Sequence, residues 1–111
     1  MIYKLQNITI KLKTTKPYKP SFLTELLGNN IKIKKNSVVC DVGAGCGILA
    51  ILTSKLGAKK VYAIDIDKKC KNSIEINSRI NNVKNIEFLQ GSMLKPLQEK
   101  VDIIIANLPQ M

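Results

Sequence analysis

Residues 38–47 begin as an unbroken apolar run, Val38-Val39-Cys40, and end in glycines at every second position. Such a run predicts a strand buried on both faces that continues into a tight loop. Residues 48–56 follow as an apolar helical stretch, and Gly57 is placed to stop it. A second strand is predicted over 61–64, delivering Asp65 at its end. Residues 68–82 read as a further helix with Cys70, Ile74, Asn77 and Ile80 near one face, Asp67 as its cap and Asn82 closing it in a left-handed conformation. Two more strands are predicted over 86–90 and 101–106, with a turn at 34–37 and a loop or short helical turn at 94–100. Upstream, Ile8, Ile10 and Leu12 alternate with Thr9, Lys11 and Lys13, the period of a half-exposed strand. Strands alternating with helices predict the α/β class with an open, mainly parallel sheet.

The chemistry concentrates where the first buried strand ends. Gly43, Gly45 and Gly47 lack Cβ atoms, so the backbone can turn sharply and approach a ligand. The helix that follows presents free N–H groups to the same place. Asp65, about twenty residues past the glycines, is positioned to accept hydrogen bonds from ribose hydroxyls. This is a nucleoside-binding βαβ pattern. A dinucleotide fingerprint needs glycine where Ile48 stands, and Asp41 beside the loop would repel a pyrophosphate. S-adenosylmethionine has no phosphate and carries an ammonium and a sulfonium, so an acid at position 41 suits it.

The segment Asp41-Val-Gly43-Ala-Gly45-Cys-Gly47 resembles motif I of the class I S-adenosylmethionine-dependent methyltransferases, and Asp65 is similar to that family's acid on the second strand. Asn107-Leu108-Pro109-Gln110 resembles the N-P-P-Y motif of the amine-directed members. Tyr18-x-Pro20-Ser21-x-x-Thr24-Glu25-Leu26-Leu27 looks like the segment before motif I in release-factor glutamine methyltransferases and their relatives. The resemblance implies a Rossmann-like sheet in the order three-two-one-four and a cofactor site of Asp41, Gly43, Ala44, Gly45, Gly47, Asp65, Ile66, Ser92 and Asn107. It also implies that the Asn107 side-chain oxygen and the Leu108 carbonyl, in a turn shaped by Pro109, orient the acceptor nitrogen for in-line methyl transfer. The implied acceptor is a nitrogen of a protein (release-factor glutamine or a ribosomal protein) or of RNA. The sequence departs from the family pattern at Leu108, in place of the first proline, at Gln110, in place of the aromatic, and at Ser92, where an acid is common.

The usual fold has seven strands, whereas the legible strands end with the fourth. The chain therefore reads as one incomplete domain, with a strand/helix extension over 1–30 and a Rossmann-like core over 37–111. Its fourth strand is an edge open to a partner chain or to self-association. The alternative function is a non-catalytic cofactor-binding subunit or a fragment that needs such a partner.

The net charge of +10 invites a nucleic-acid reading. Nearly all the cations are lysine, with Arg79 the sole arginine, and the abundance of Lys, Asn and Ile fits an AT-rich coding bias. The basic stretch 4–19 reads as a solvated face, with RNA or ribosome contact as the alternative. Three cysteines without C-x-x-C spacing, and no histidine, predict packing residues and no metal site, although helix N–H groups beside Cys46 favour its thiolate. No apolar run spans a membrane and no signal peptide is recognised, so a cytoplasmic protein is expected.

Overall fold

The computed structural model describes residues 1–107. Strands β1 (Ile2–Leu5) and β2 (Ile8–Lys11) precede helix α1 (Phe22–Asn30). Then β3 (Val38–Val42), α2 (Ile48–Lys55), β4 (Lys60–Asp65), α3 (Cys70–Ile80), β5 (Ile86–Gln90) and β6 (Ile103–Ala106) alternate along the chain. The last four strands form one parallel sheet in the order β5-β4-β3-β6, which is the expected order three-two-one-four. Val39 pairs with both Val61 and Ile103, so β3 is central, and β6 has no outer neighbour among the described residues.

The half-exposed N-terminal strand forms as expected. It is one arm of an antiparallel hairpin that stands apart from the main sheet. Gln6 and Asn7 form its turn at φ 51° and 65°, the double left-handed conformation that matches strand twist in a two-residue hairpin. Leu5, Ile10 and Leu12 are buried and pack with α2. α2 thus lies between sheet and hairpin, which explains why its residues 48–53 are all buried. A Cβ on Gly28 would stand 2.8 Å from Leu5 Cδ1 and 3.2 Å from Leu49 Cδ2, so glycine lets α1 close over both.

α3 begins at Cys70, two residues later than predicted. The Asp67 carboxylate accepts from the Lys69 N–H (2.9 Å) and its carbonyl from the Cys70 N–H (3.0 Å), so it heads a turn leading into the helix without being the N-cap. Asn82 does close the helix at φ 58°: Val83 N–H donates to Ser78 O and Asn82 N–H to Arg79 O. The expected face is also corrected. Cys70, Ile74 and Asn77 are buried, but Ile80 is exposed and Asn81 takes the inward position.

The two inward asparagines dock the N-terminal segment. Asn81 Nδ2 donates to Lys11 O (2.7 Å) and its Oδ1 accepts from Lys11 N–H (3.0 Å). Asn77 Oδ1 accepts from Lys13 N–H (2.9 Å), and its Nδ2 donates to Thr14 O (2.9 Å) and to Cys46 O in the glycine loop (2.8 Å). Buried amides satisfied at both ends give direction to contacts that apolar packing alone would leave loose. The fourth predicted strand starts at Ile103, and just before it Asp102 meets Val38 twice: its N–H donates to Val38 O (2.8 Å) and its carboxylate accepts from Val38 N–H (2.7 Å). Among the described residues no helix is long and apolar enough to cross a membrane.

Candidate cofactor and active site

A cavity of ≈ 740 Å³ opens at the carboxyl ends of the four parallel strands. Asp41 and Val42 come from the end of β3, Ile64, Asp65 and Ile66 from β4, Gly91, Ser92 and Met93 from the turn after β5, and Asn107 from the end of β6. The glycine loop, with Gly43, Ala44 and Gly45, forms its floor, and residues 18–24 form the wall opposite the sheet. Parallel sheets place ligands here because adjacent loops leave in opposite directions.

The loop is built as the spacing required. Gly43, Gly45 and Gly47 sit at φ 75°, 57° and 91°. Gly47 is both the left-handed N-cap of α2 and a packing neighbour of α3: a Cβ there would meet Ile74 Cγ1 at 3.0 Å. It does not itself line the cavity among the described residues; it sets the entry angle of the helix.

The two carboxylates differ in their surroundings. Asp65 Oδ2 accepts from the Gly45 N–H (3.0 Å) and Oδ1 from the Asp67 N–H (3.0 Å), so the loop and the strand end are tied through one side chain. Asp41 is 1 % exposed, and neither of its oxygens has a hydrogen-bond partner. Burial, with the negative charge of Asp65 adding to it, pushes its carboxyl up to about 7. The Ala50 N–H in the first turn of α2 faces it and pulls the other way, but falls short of a regular hydrogen bond. A buried carboxylate with free lone pairs at a cavity wall is suited to a cation.

Asn107 is half-buried, and its backbone N–H donates to Val42 O (3.2 Å). Its Nδ2 donates to Thr24 Oγ1 (2.7 Å), while Oδ1 accepts from no described residue. Leu108 and Pro109 lie outside the described residues. Ile66 and Met93 are exposed at the mouth, and Ser92 is exposed on the rim.

Cys46 is a packing residue as expected: burial outweighs the Ile48 N–H beside it and raises its thiol to about 11. All three cysteines are buried and free, and no group of three or more His, Cys, Asp or Glu able to hold a metal occurs among the described residues.

The reading of the site residues missed Tyr18, Phe22 and Thr24 as cavity lining. Their signals were the resemblance of the stretch 18–27 to the segment before motif I and Ser21, which caps α1 with Thr24 in a reciprocal capping box.

A family model described as ribosomal protein L11 methyltransferase (PrmA) matches residues 22–109. A ribosomal protein L11 methyltransferase of Clostridium perfringens is 45% identical over 76 residues, which cover 68% of this chain and 24% of that protein. The crystal structure of a ribosomal protein L11 methylase from Lactobacillus delbrueckii subsp. bulgaricus aligns with a TM-score of 0.65 at 41% identity, covering 68% of this chain and 39% of that one. A Streptococcus mutans protein in complex with SAH aligns with a TM-score of 0.61 at 28% identity, covering 71% of this chain and 46% of that one. The chain spans about a quarter of the length of the curated relatives it matches. With motif, sheet order and family model in agreement, the chain belongs to the ribosomal protein L11 methyltransferase (PrmA) family.

Proposed function

We propose that this chain binds S-adenosylmethionine and belongs to an enzyme that methylates a nitrogen of a ribosomal protein, L11 in the named relatives, in the cytoplasm. The observation that carries the reading is the pair of unlike carboxylates in one cavity. Asp41 faces it with no partner, and Asp65 is held at the strand end beside the glycine loop. The donor set fits the group. Asp41 would face its cationic part, and Asp65 has lone pairs left for ribose hydroxyls beyond those taken by Gly45 and Asp67. Gly43, Ala44 and Gly45 allow close backbone approach, and Ile66, Ser92 and Met93 would border the base. When bound, the cofactor supplies an electrophilic methyl on sulfonium.

The chain's own contribution is positioning. Asn107 Oδ1 would accept an N–H of the incoming amine and turn its lone pair toward the methyl, with the Leu108 carbonyl and the Pro109 turn completing the grip. We read residues 1–30 as an extension that covers α2 and residues 37–111 as the cofactor-binding core.

The second reading is a cofactor-binding subunit completed by another chain. It is favoured by the edge of β6, which has no outer neighbour among the described residues and where Ile104 is 52% exposed.

Calorimetric titration with S-adenosylhomocysteine tests the first reading. Saturable one-to-one binding is expected, and a flat titration from a folded chain would overturn it. Methyl transfer to L11 by the isolated monomer would dispose of the second reading, whereas co-purification of a stoichiometric partner would favour it.

A further inference from the structure

Thr24 is buried, at 4% exposure, and its hydroxyl oxygen meets three polar groups. The Ser21 N–H donates to it at 3.1 Å, Ser21 Oγ lies at 3.1 Å, and Asn107 Nδ2 donates to it at 2.7 Å. The first two belong to the capping box of α1, which fixes the oxygen relative to the helix. The third comes from the end of β6, 83 residues along the chain.

A hydroxyl has one proton and two lone pairs. Ser21 N–H and Asn107 Nδ2 fill both lone pairs, so the count closes when the Thr24 proton goes to Ser21 Oγ. Thr24 then has only acceptor capacity to offer Asn107. A half-turn of the Asn107 amide would require the bond between the Ser21 and Thr24 hydroxyls to reverse with it, so that Ser21 donates to Thr24 and Thr24 to Oδ1.

We infer that Thr24 is a positioning residue: through the α1 capping box it holds the Asn107 side chain by its Nδ2 end, leaving Oδ1 as the end that receives the acceptor nitrogen. The inference rests on the methyl-transfer reading of the cavity. It gives the extension a task in the reaction, because the capping hydroxyl of the first helix holds the amide that follows β6. A reversed amide would present N–H groups to an amine that itself brings N–H groups, and would leave its lone pair unaimed.

The test measures kcat for methyl transfer to L11 and, separately, the Kd for S-adenosylhomocysteine, in wild type, Thr24→Val and Thr24→Ser. Val keeps the shape and removes the hydroxyl, whereas Ser keeps the hydroxyl and removes a methyl. The expected result is a kcat at least about tenfold lower in Thr24→Val, an affinity within about twofold of wild type, and recovery to within about threefold in Thr24→Ser. Equal losses in the Val and Ser variants, or parallel losses of kcat and affinity, would overturn it by making Thr24 a packing or cofactor contact. If Thr24→Val does not fold, Thr24→Ala carries the same comparison without a misplaced methyl. A wild-type chain that binds S-adenosylhomocysteine but transfers no methyl would overturn the transfer reading and the role of Thr24 with it. A wild-type chain that transfers methyl, with Thr24→Val transferring equally well, would overturn the role of Thr24 alone and leave the transfer reading standing.

Discussion

The two walls of the cavity each carry an aspartate at a strand end, and the two are held in opposite ways. On the β4 side, Asp65 is anchored by two backbone N–H groups, one from the glycine loop and one from the turn that leads into α3. On the β3 side, Asp41 is more deeply buried and has no partner. An anchored carboxylate keeps its position whether or not a ligand is present. An unpartnered one costs stability as an anion and recovers it when a cation arrives. One side of the cavity is therefore set for hydrogen-bond geometry, and the other holds unspent electrostatic attraction.

The largest effect on cofactor affinity is expected at the anchored acid. Asp65→Ala removes the ribose acceptor and the tether on Gly45 together, so affinity for S-adenosylhomocysteine should fall more than about tenfold, or about 1.4 kcal/mol. Unchanged affinity in calorimetry would end the ribose assignment.

Asp41 is expected to act through pH. Its carboxyl is raised from 3.8 to about 7 in the fold, so the native state holds a proton that the unfolded chain has lost. Stability of the free chain should therefore fall as pH rises from about 4 to about 7 and level off above that. Asp41→Asn should flatten the profile in thermal unfolding. Binding of the cationic cofactor requires the anion, so affinity for S-adenosylmethionine should rise approaching tenfold between about pH 6 and 8 in wild type and stay level in the variant. A wild-type affinity independent of pH would contradict the electrostatic side of the comparison.

The smallest effect is expected at Asp67. Its backbone N–H, which holds Asp65, survives substitution, and its side chain serves only the Lys69 N–H and the Tyr18 hydroxyl on the surface. Asp67→Ala should leave S-adenosylhomocysteine affinity within about twofold. A larger loss would mean that Tyr18 helps to close the cavity.

The parallel core was legible because each of its features is local. The apolar runs, the glycine spacing and the acid ending the second strand are enforced within about twenty residues of one another. From them followed the four strands, while the family resemblance implied their order, and the candidate cofactor residues Asp41, Gly43, Gly45 and Asp65 come together at one cavity. The departures occur where distant segments compete for the same position. Ile80 fits a helical face by spacing, yet the inward position goes to Asn81, because the hairpin edge brings the Lys11 N–H and carbonyl there to be satisfied. Ile8, Ile10 and Leu12 signal a strand, but Ile2–Leu5 as its partner is marked only weakly, by a Gln6-Asn7 turn without glycine. The helix N–H groups near Cys46 and its packing role were both visible in the sequence, whereas the balance between them was set by burial in the fold.

By itself, then, the sequence determined the class of fold, the loop that a nucleoside could approach and the acids beside it, since backbone freedom and short-range spacing fix those. Only the tertiary structure decided that Asp65 is anchored while Asp41 is not, and that the amide of Asn107 is held by a hydroxyl from the first helix. Those choices depend on which donors and acceptors meet across the fold, and the hydrogen-bonding capacity of each buried group must be met by partners that sequence distance does not reveal.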